Sequence, residues 1–178
     1  MKAVWCYKDC LTPTECSRVI ELGGDLQAGT VGVVGGQAVD TSIRNSRISW
    51  IRREDHPWLF DIVDHEVRVL NDTWLGLRYY HTGCESLQFT AYKEGEYYHS
   101  HVDSTCVGDG KDVRKVSCSI LLNTDFEGGE LIVDGGSIEK PRVGQITVFP
   151  GIVPHEVKKV TSGTRYSLVG WWMGPPWI

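Results

Sequence analysis

The chain has no excess of basic residues: 18 Lys+Arg against 23 Asp+Glu leave a formal net charge of −5 at pH 7. That removes the general electrostatic case for nucleic acid or an anionic membrane surface as a partner. No apolar run reaches the roughly 20 residues that a membrane-spanning helix needs. The start, Met1-Lys2-Ala3-Val4-Trp5-Cys6, lacks the apolar core of a signal peptide, so a soluble, cytoplasmic chain is expected. Cysteine is sparse. Cys6, Cys10, Cys16, Cys84, Cys106 and Cys118 form no dense framework, and reduced thiols are expected. Cys6 and Cys10 could form half of a zinc site, but no His or Cys pair with zinc-finger spacing follows. Internal repeats and linkers are missing too, so 178 residues with 41% hydrophobic content read as one domain with a sizeable core. Nothing fixes an oligomeric state.

Two helices are expected in the N-terminal part, residues 1–83. Thr12-Pro13-Thr14-Glu15 offers an N-cap, a first-turn proline and a capping-box glutamate. Cys16, Val19, Ile20 and Leu22 supply the apolar stripe, and Gly23-Gly24 the stop. Asp55-His56-Pro57 opens the second helix, with Trp58, Leu59, Ile62, Val63, Val67 and Leu70 on one face. Between them, residues 28–41 are glycine-rich and nearly uncharged. They read as a connector, a loose hairpin or a mobile lid. Ser42 to Arg52 reads as one strand, with Arg44 and Arg47 solvated or salt-bridged.

From Cys84 onward strand follows strand: Ser86–Tyr92, Tyr97–Asp103, Val116–Leu122, Glu130–Asp134, Gln145–Phe149, His155–Val160 and Tyr166–Trp172. Gly108-Asp109-Gly110, Gly128-Gly129, Gly135-Gly136, Pro150-Gly151 and Ser162-Gly163 read as the turns between them. A mostly β chain of many short strands argues for a sandwich or jelly roll.

The chemistry centres on Tyr97-Tyr98-His99-Ser100-His101-Val102-Asp103. Residues two apart on a strand share a face, so His101 and Asp103 would aim an imidazole and a carboxylate at one point. The best third ligand is His155. Two His and one carboxylate form the facial triad of non-haem Fe(II) oxygenases, which leaves positions open on the other side of the metal. Zinc prefers a closed tetrahedral site or one with a single open position. His99 lies on the same nominal face and is an alternative to His101. Ten residues past His155 stands Arg165, with Ser167 beside it on the same face. A guanidinium fork next to a hydroxyl suits a carboxylate.

The whole order is His-x-Asp, Gly-Gly-Glu-Leu, Pro-Gly, His, then Arg-x-Ser. With it the chain resembles the Fe(II)/2-oxoglutarate-dependent dioxygenases, and within them the prolyl 4-hydroxylase-like group, including its small microbial and viral hydroxylases. The resemblance is strongest from Cys84 to Met173; Arg44-Asn45-Ser46 also resembles an Arg-x-Ser stretch of that group. It implies a double-stranded β-helix (jelly-roll) core over 84–173, with the helices and strands of residues 1–83 packing on it and the two helices on one outer face. It implies Fe(II), 2-oxoglutarate and O2, with ascorbate as a reductant. The ligand set would be His101, Asp103 and His155, with Arg165, Ser167 and Tyr92 on the oxoacid. Tyr98, Arg114 and Trp171 match substrate-side positions, where packing or solvent exposure is the competing reading. Many members carry another tyrosine before Asn123, where this chain has Ile120, Leu121 and Leu122. The implied reaction converts 2-oxoglutarate and O2 to succinate and CO2 while hydroxylating a protein or peptide, with a prolyl residue as the leading target. A free amino acid or other small molecule is the second reading. A non-catalytic metal-binding jelly roll is the third.

Overall fold

The computed structural model describes residues 4–33, 36–80, 83–84, 86–104, 112–138 and 140–177. In chain order the elements are β1 (Cys6–Asp9), α1 (Pro13–Leu22), β2 (Gln27–Ala28), β3 (Val31–Val33), β4 (Gly36–Ala38), β5 (Arg44–Asn45), β6 (Arg47–Arg52) and α2 (Pro57–Leu70). They continue with β7 (Ser86–Lys93), β8 (Tyr97–His101), β9 (Val113–Leu121), β10 (Phe126–Gly128), β11 (Leu131–Val133), β12 (Gln145–Pro150), β13 (His155–Val157) and β14 (Val160–Gly174).

The α1 start forms as the sequence prescribes. The Thr12 hydroxyl accepts from the Glu15 amide, and the Glu15 carboxylate accepts from the Thr12 amide. Pro57 begins α2, and a single π-helical turn, Asn71–Leu75, follows it. The apolar faces of both helices pack into the main core. Val19, Leu59, Phe60, Val63 and Val67 join Leu87, Phe89, Ile120, Val148 and Leu168 from the strands. Each such side chain contributes roughly 1.5–3 kcal/mol on burial. Phe60, absent from the expected stripe, is fully buried.

The strands form an eight-stranded sheet in the order β1-β12-β9-β14-β7-β6-β2, with β10 also on β14. A four-stranded sheet runs β11-β13-β8-β5, and β3-β4 is a separate hairpin. One face of the large sheet carries the helix-packed apolar residues. Its other face, with Gln88, Thr90, Tyr92, Arg165 and Ser167, and the small sheet together line one cavity of about 830 Å3. The cysteines among the described residues are free thiols and gather no metal-type ligand cluster at Cys6 and Cys10. Burial pushes Cys16 up to about 11 and Cys84 to about 12 from 9.0. Cys106 and the turn expected at Gly108-Asp109-Gly110 lie outside the described residues. Among the described residues no helix is long and apolar enough to cross a membrane.

Several expected strands differ. Ser42–Arg52 is two strands, not one: β5 pairs with β8 in the small sheet and β6 with β7 in the large one. The chain changes sheets at Ser46, a buried residue whose hydroxyl accepts from Arg44 Nε at 2.8 Å. Ser162-Gly163 is not a turn but lies inside β14. There β10 presses against it, with φ of +77° at Gly163, and a side chain would strike the Asp125 carbonyl. The β10 strand itself carries no alternating signal. The glycine-rich stretch is a hairpin at the cavity rim, where Thr30, Val31, Gly32 and Gln37 join the lining. Residues 34 and 35, inside the stretch read as a lid, lie outside the described residues.

Candidate active site

The antiparallel pairing of β8 with β13 sets His155 opposite His101. Between Tyr98 and His101 the register slips: His99 and Ser100 together oppose Glu156. Such a bulge inverts the alternation of side chains. Tyr98 therefore shares a face with His101, and the two rings stack at 3.6 Å between centroids, 13° apart in plane. The His99 ring instead tilts against Tyr97, 4.5 Å between centroids, off the cavity lining. The ring of His99 is thus not a rival to His101. Its contribution is its carbonyl, which accepts from His101 Nδ1 at 2.9 Å.

Asp103 also departs from the simple strand reading, because β8 ends at His101 and Asp103 sits in a bend. The amides of Asp103 and Ser104 both donate to the Gly151 carbonyl, at 2.9 and 3.0 Å. Gly151 in turn donates to the Lys115 carbonyl at 3.1 Å, and any side chain at 151 would run into the Arg114 carbonyl. The Pro150-Gly151 turn also leads into His155, whose Nδ1 meets the Val153 carbonyl at 3.0 Å.

A carbonyl can only accept, so both histidines donate from Nδ1 and turn an Nε2 lone pair inward. His101 Nε2 lies 3.8 Å from Asp103 Oδ1, and His155 Nε2 lies 3.5 Å from Asp103 Oδ2. The three ligand atoms fall within 4.8 Å of one another, a spacing that one ion can bridge. Asp103 Oδ2 is buried and, among the described residues, accepts no hydrogen bond. A carboxylate oxygen in that position is costly unless a cation takes it up. Burial, with His155 adding to it, pushes His101 down to about 4 from 6.5, although Asp103 pulls the other way. Both features suit a divalent metal, which needs neutral imidazoles and an anionic oxygen.

Arg165 stands in the same cavity and is 3% exposed. Its Nη1 donates to Ser167 Oγ at 2.9 Å, and its guanidinium lies 5.6 Å from the Tyr92 ring centroid. Among the described residues it has no carboxylate partner. Burial lowers its proton affinity, though not enough to neutralise a guanidinium. The Tyr92 hydroxyl is pushed up by burial and drawn back by Arg44 and Arg165.

Arg44 is the residue the sequence reading missed. It is buried rather than solvated or salt-bridged. It donates to Ser46 Oγ, the Thr30 carbonyl and Gln88 Oε1, and its guanidinium lies 4.7 Å from the Tyr98 ring centroid. Arg44, Tyr98 and His101 thus form a stack that ends on a ligand. Its signal was the Arg-x-Ser spacing itself, which puts a hydroxyl within reach of Nε. Of the residues expected to face a substrate, Arg114 lies 3.9 Å over the Trp171 ring, and Trp171 tilts against Trp50 at 6.1 Å. All three line the cavity with Tyr98, and Trp50 is 51% exposed at its rim.

Residues 87–173 match the profile of the 2OG-Fe(II) oxygenase superfamily. This stretch is a 2OG-Fe(II) oxygenase core. The family works with Fe(II), 2-oxoglutarate and O2, and its core here contains the His101, Asp103, His155 cluster. A PKHD-type hydroxylase of Acaryochloris marina is 40% identical over 91 residues, covering 48% of this chain and 41% of that protein. One from Gloeothece citriformis is 36% identical over 91 residues, with the same coverage. The chain spans about two fifths of the length of these hydroxylases. Solved structures extend the likeness of fold to nearly the whole chain. The viral collagen prolyl hydroxylase of Paramecium bursaria Chlorella virus-1, in its 2OG complex, aligns with a TM-score of 0.74 at 22% identity, covering 97% of both chains. A Pseudomonas putida prolyl-4-hydroxylase gives 0.69 at 24% identity, covering 96% and 92%. A Trichoplax adhaerens prolyl hydroxylase, in complex with a hypoxia inducible factor peptide fragment, gives 0.71 at 21%, covering 95% and 83%.

Proposed function

We propose that this oxygenase hydroxylates a protein or peptide, with a prolyl residue as its leading target. The observation that carries the reading is a single cavity holding both a metal-type triad with a carboxylate oxygen that has no donor and a buried guanidinium that has no acid to pair with, among the described residues. Both needs would be met by one metal ion and one dicarboxylate. In this reading His101, Asp103 and His155 hold Fe(II). Arg165 and Ser167 take the distal carboxylate of 2-oxoglutarate, and Tyr92 adds a hydroxyl. When bound, Fe(II) with 2-oxoglutarate and O2 supplies a decarboxylating oxidation that yields succinate and CO2 and places a hydroxyl on a C–H bond.

The chain's own share is placement. The carbonyls of His99 and Val153 fix both imidazole tautomers, and the Gly151 carbonyl fixes the Asp103 backbone. The Arg44-Tyr98 stack keeps the His101 ring from rotating. Trp171 and Arg114 form one wall of the substrate's approach. The two sheets facing across the cavity support reading the fold as a double-stranded β-helix, or jelly roll. Residues 1–178 are then one domain, with its core at 84–173 and residues 1–83 packed on it.

A polypeptide is favoured over a free amino acid by the rim. Ile43, Trp50 and Val102 are large apolar residues at 40% exposure or more, and all three line the cavity. An apolar rim around a polar site suits a chain lying across the opening. The test is turnover of a peptide library with Fe(II) and 2-oxoglutarate, read by mass spectrometry for the gain of one oxygen. Proline-containing peptides should gain it with matching succinate release. Turnover of free amino acids alone would overturn the peptide reading, and failure to release succinate with any of these compounds would reduce the chain to a metal-binding module.

A further inference from the structure

The pairing of β14 with β9 slips once. Trp171 opposes Ser117 and Trp172 opposes Val116, but Met173 opposes Arg114, which leaves Lys115 out of the register. In an unbroken ladder Lys115 would face Met173 and share the side of Ser117 and Trp171, while Arg114 would point toward the helices. The extra residue reverses this. Arg114 turns into the cavity and lies on Trp171, and Lys115 is left to find its own surroundings.

Those surroundings are built. Lys115 is 6% exposed, its Nζ donates to the Pro176 carbonyl at 3.1 Å, and it lies 3.7 Å from the Trp177 ring centroid. An ammonium ion this deeply buried holds its place only where other groups replace water, and the Pro176 carbonyl and the Trp177 ring are two of them. Lys115 and the Pro176-Trp177 segment therefore fasten the bulge, and the bulge aims Arg114.

We propose that Lys115 and Trp177 are positioning residues for the substrate wall: by holding the β9 bulge they keep Arg114 stacked on Trp171, and so set affinity for a polypeptide substrate without touching it. The substrate half rests on the function proposed above; the positioning half does not.

The stack has its own signature. A guanidinium over an indole has its Nε–H resonance moved upfield by the ring current. In 15N-labelled protein the Arg114 Nε–H signal, assigned by its loss in Arg114→Lys, should be upfield. It should move toward the free-arginine position in Lys115→Met and in Trp177→Leu, and return in Lys115→Arg, which restores a cation and a donor. 2-Oxoglutarate affinity of the Mn(II)-loaded variants should equal wild type. Affinity of the Mn(II)- and 2-oxoglutarate-loaded protein for a ten-residue poly-L-proline peptide should fall about fivefold, the scale of one aromatic–cation contact. An Arg114 resonance unmoved in both variants overturns the proposal. So does a loss of oxoacid affinity alongside amide shifts across the sheet, because that is general unpacking. Wild-type protein that ignores the peptide counts against the substrate reading alone, and the resonance still decides the positioning.

Discussion

The two faces of the large sheet are both buried, yet they are chemically opposite. On β7, Leu87, Phe89 and Ala91 lie in the helix-packed core, while Gln88, Thr90 and Tyr92 turn to the cavity. On β14, Leu168 belongs to the first set, and Arg165 and Ser167 to the second. Alternation of this kind ordinarily marks one wet face and one dry face. Here both faces are buried, one against the helices and the other around the cavity. The apolar face is satisfied from within by close packing. The polar face carries a guanidinium that, among the described residues, has no acid, and it looks across at a carboxylate oxygen that among them has no donor. Burial with satisfied contacts is structure; burial with unmet charge marks a place prepared for something else.

Substitutions on the two sides should therefore fail in different ways. The largest effect is expected at the triad. His101→Ala, Asp103→Ala and His155→Ala should each lower 2-oxoglutarate turnover more than about a hundredfold, beyond what the loss of a supporting contact costs, while the chain stays folded. Near wild-type succinate production by any of them would remove that residue from the ligand set. On the opposite face, Phe89→Ala should destabilise by about 3–5 kcal/mol in urea unfolding. Its folded fraction should still bind 2-oxoglutarate within about twofold of wild type, as expected of a site that does not share its partners. Unchanged stability there would mean the helix-side face is not the core described.

Arg165→Ala comes next. Charge-assisted hydrogen bonds contribute roughly 1.5–3 kcal/mol each, so 2-oxoglutarate should bind Mn(II)-loaded protein more than about tenfold more weakly. Mn(II) affinity should stay put, and Ser167→Ala should show a smaller loss. Oxoacid binding as tight as wild type in Arg165→Ala would move the pocket elsewhere, with Arg114 next to test. The smallest effect concerns the thiols. Folded Cys16 and Cys84 keep their protons up to about 11 and 12, whereas unfolded thiols release them near 9.0. Above pH 9 the folded state then binds more protons than the unfolded state, so stability should fall as pH rises from 9 toward 11. Cys84→Ala should flatten part of that slope. A urea midpoint with equal slopes in the two proteins would contradict it.

Much of this was legible from residue order. The capping box at Thr12 and Glu15, the proline start of α2, and the alternation in β7 are local physics, and each appears where local physics puts it. The spacing of His101, Asp103 and His155 also brings its atoms together. What could not be read was every place where one strand slips past another. The slip in β8 separates His99 from His101, and the slip in β9 turns Arg114 inward. A bulge depends on the partner strand's register, which the strand's own sequence does not contain. The burial of Arg44 was hidden for a similar reason: its partners Thr30 and Gln88 lie 14 and 44 residues away.

The silence of the buried thiols has a practical side for spectroscopy. Thiolate, not thiol, attacks maleimides and disulfide reagents. With Cys6, Cys10, Cys16, Cys84 and Cys118 all held protonated, chiefly by burial, they offer almost no nucleophile at neutral pH. Val69, 37% exposed on α2 and outside the cavity lining, is a surface position for a new thiol. In a Cys106→Ser background, Val69→Cys would give one fast-reacting handle, so a single dye or spin label could be attached without stripping the core of its native cysteines.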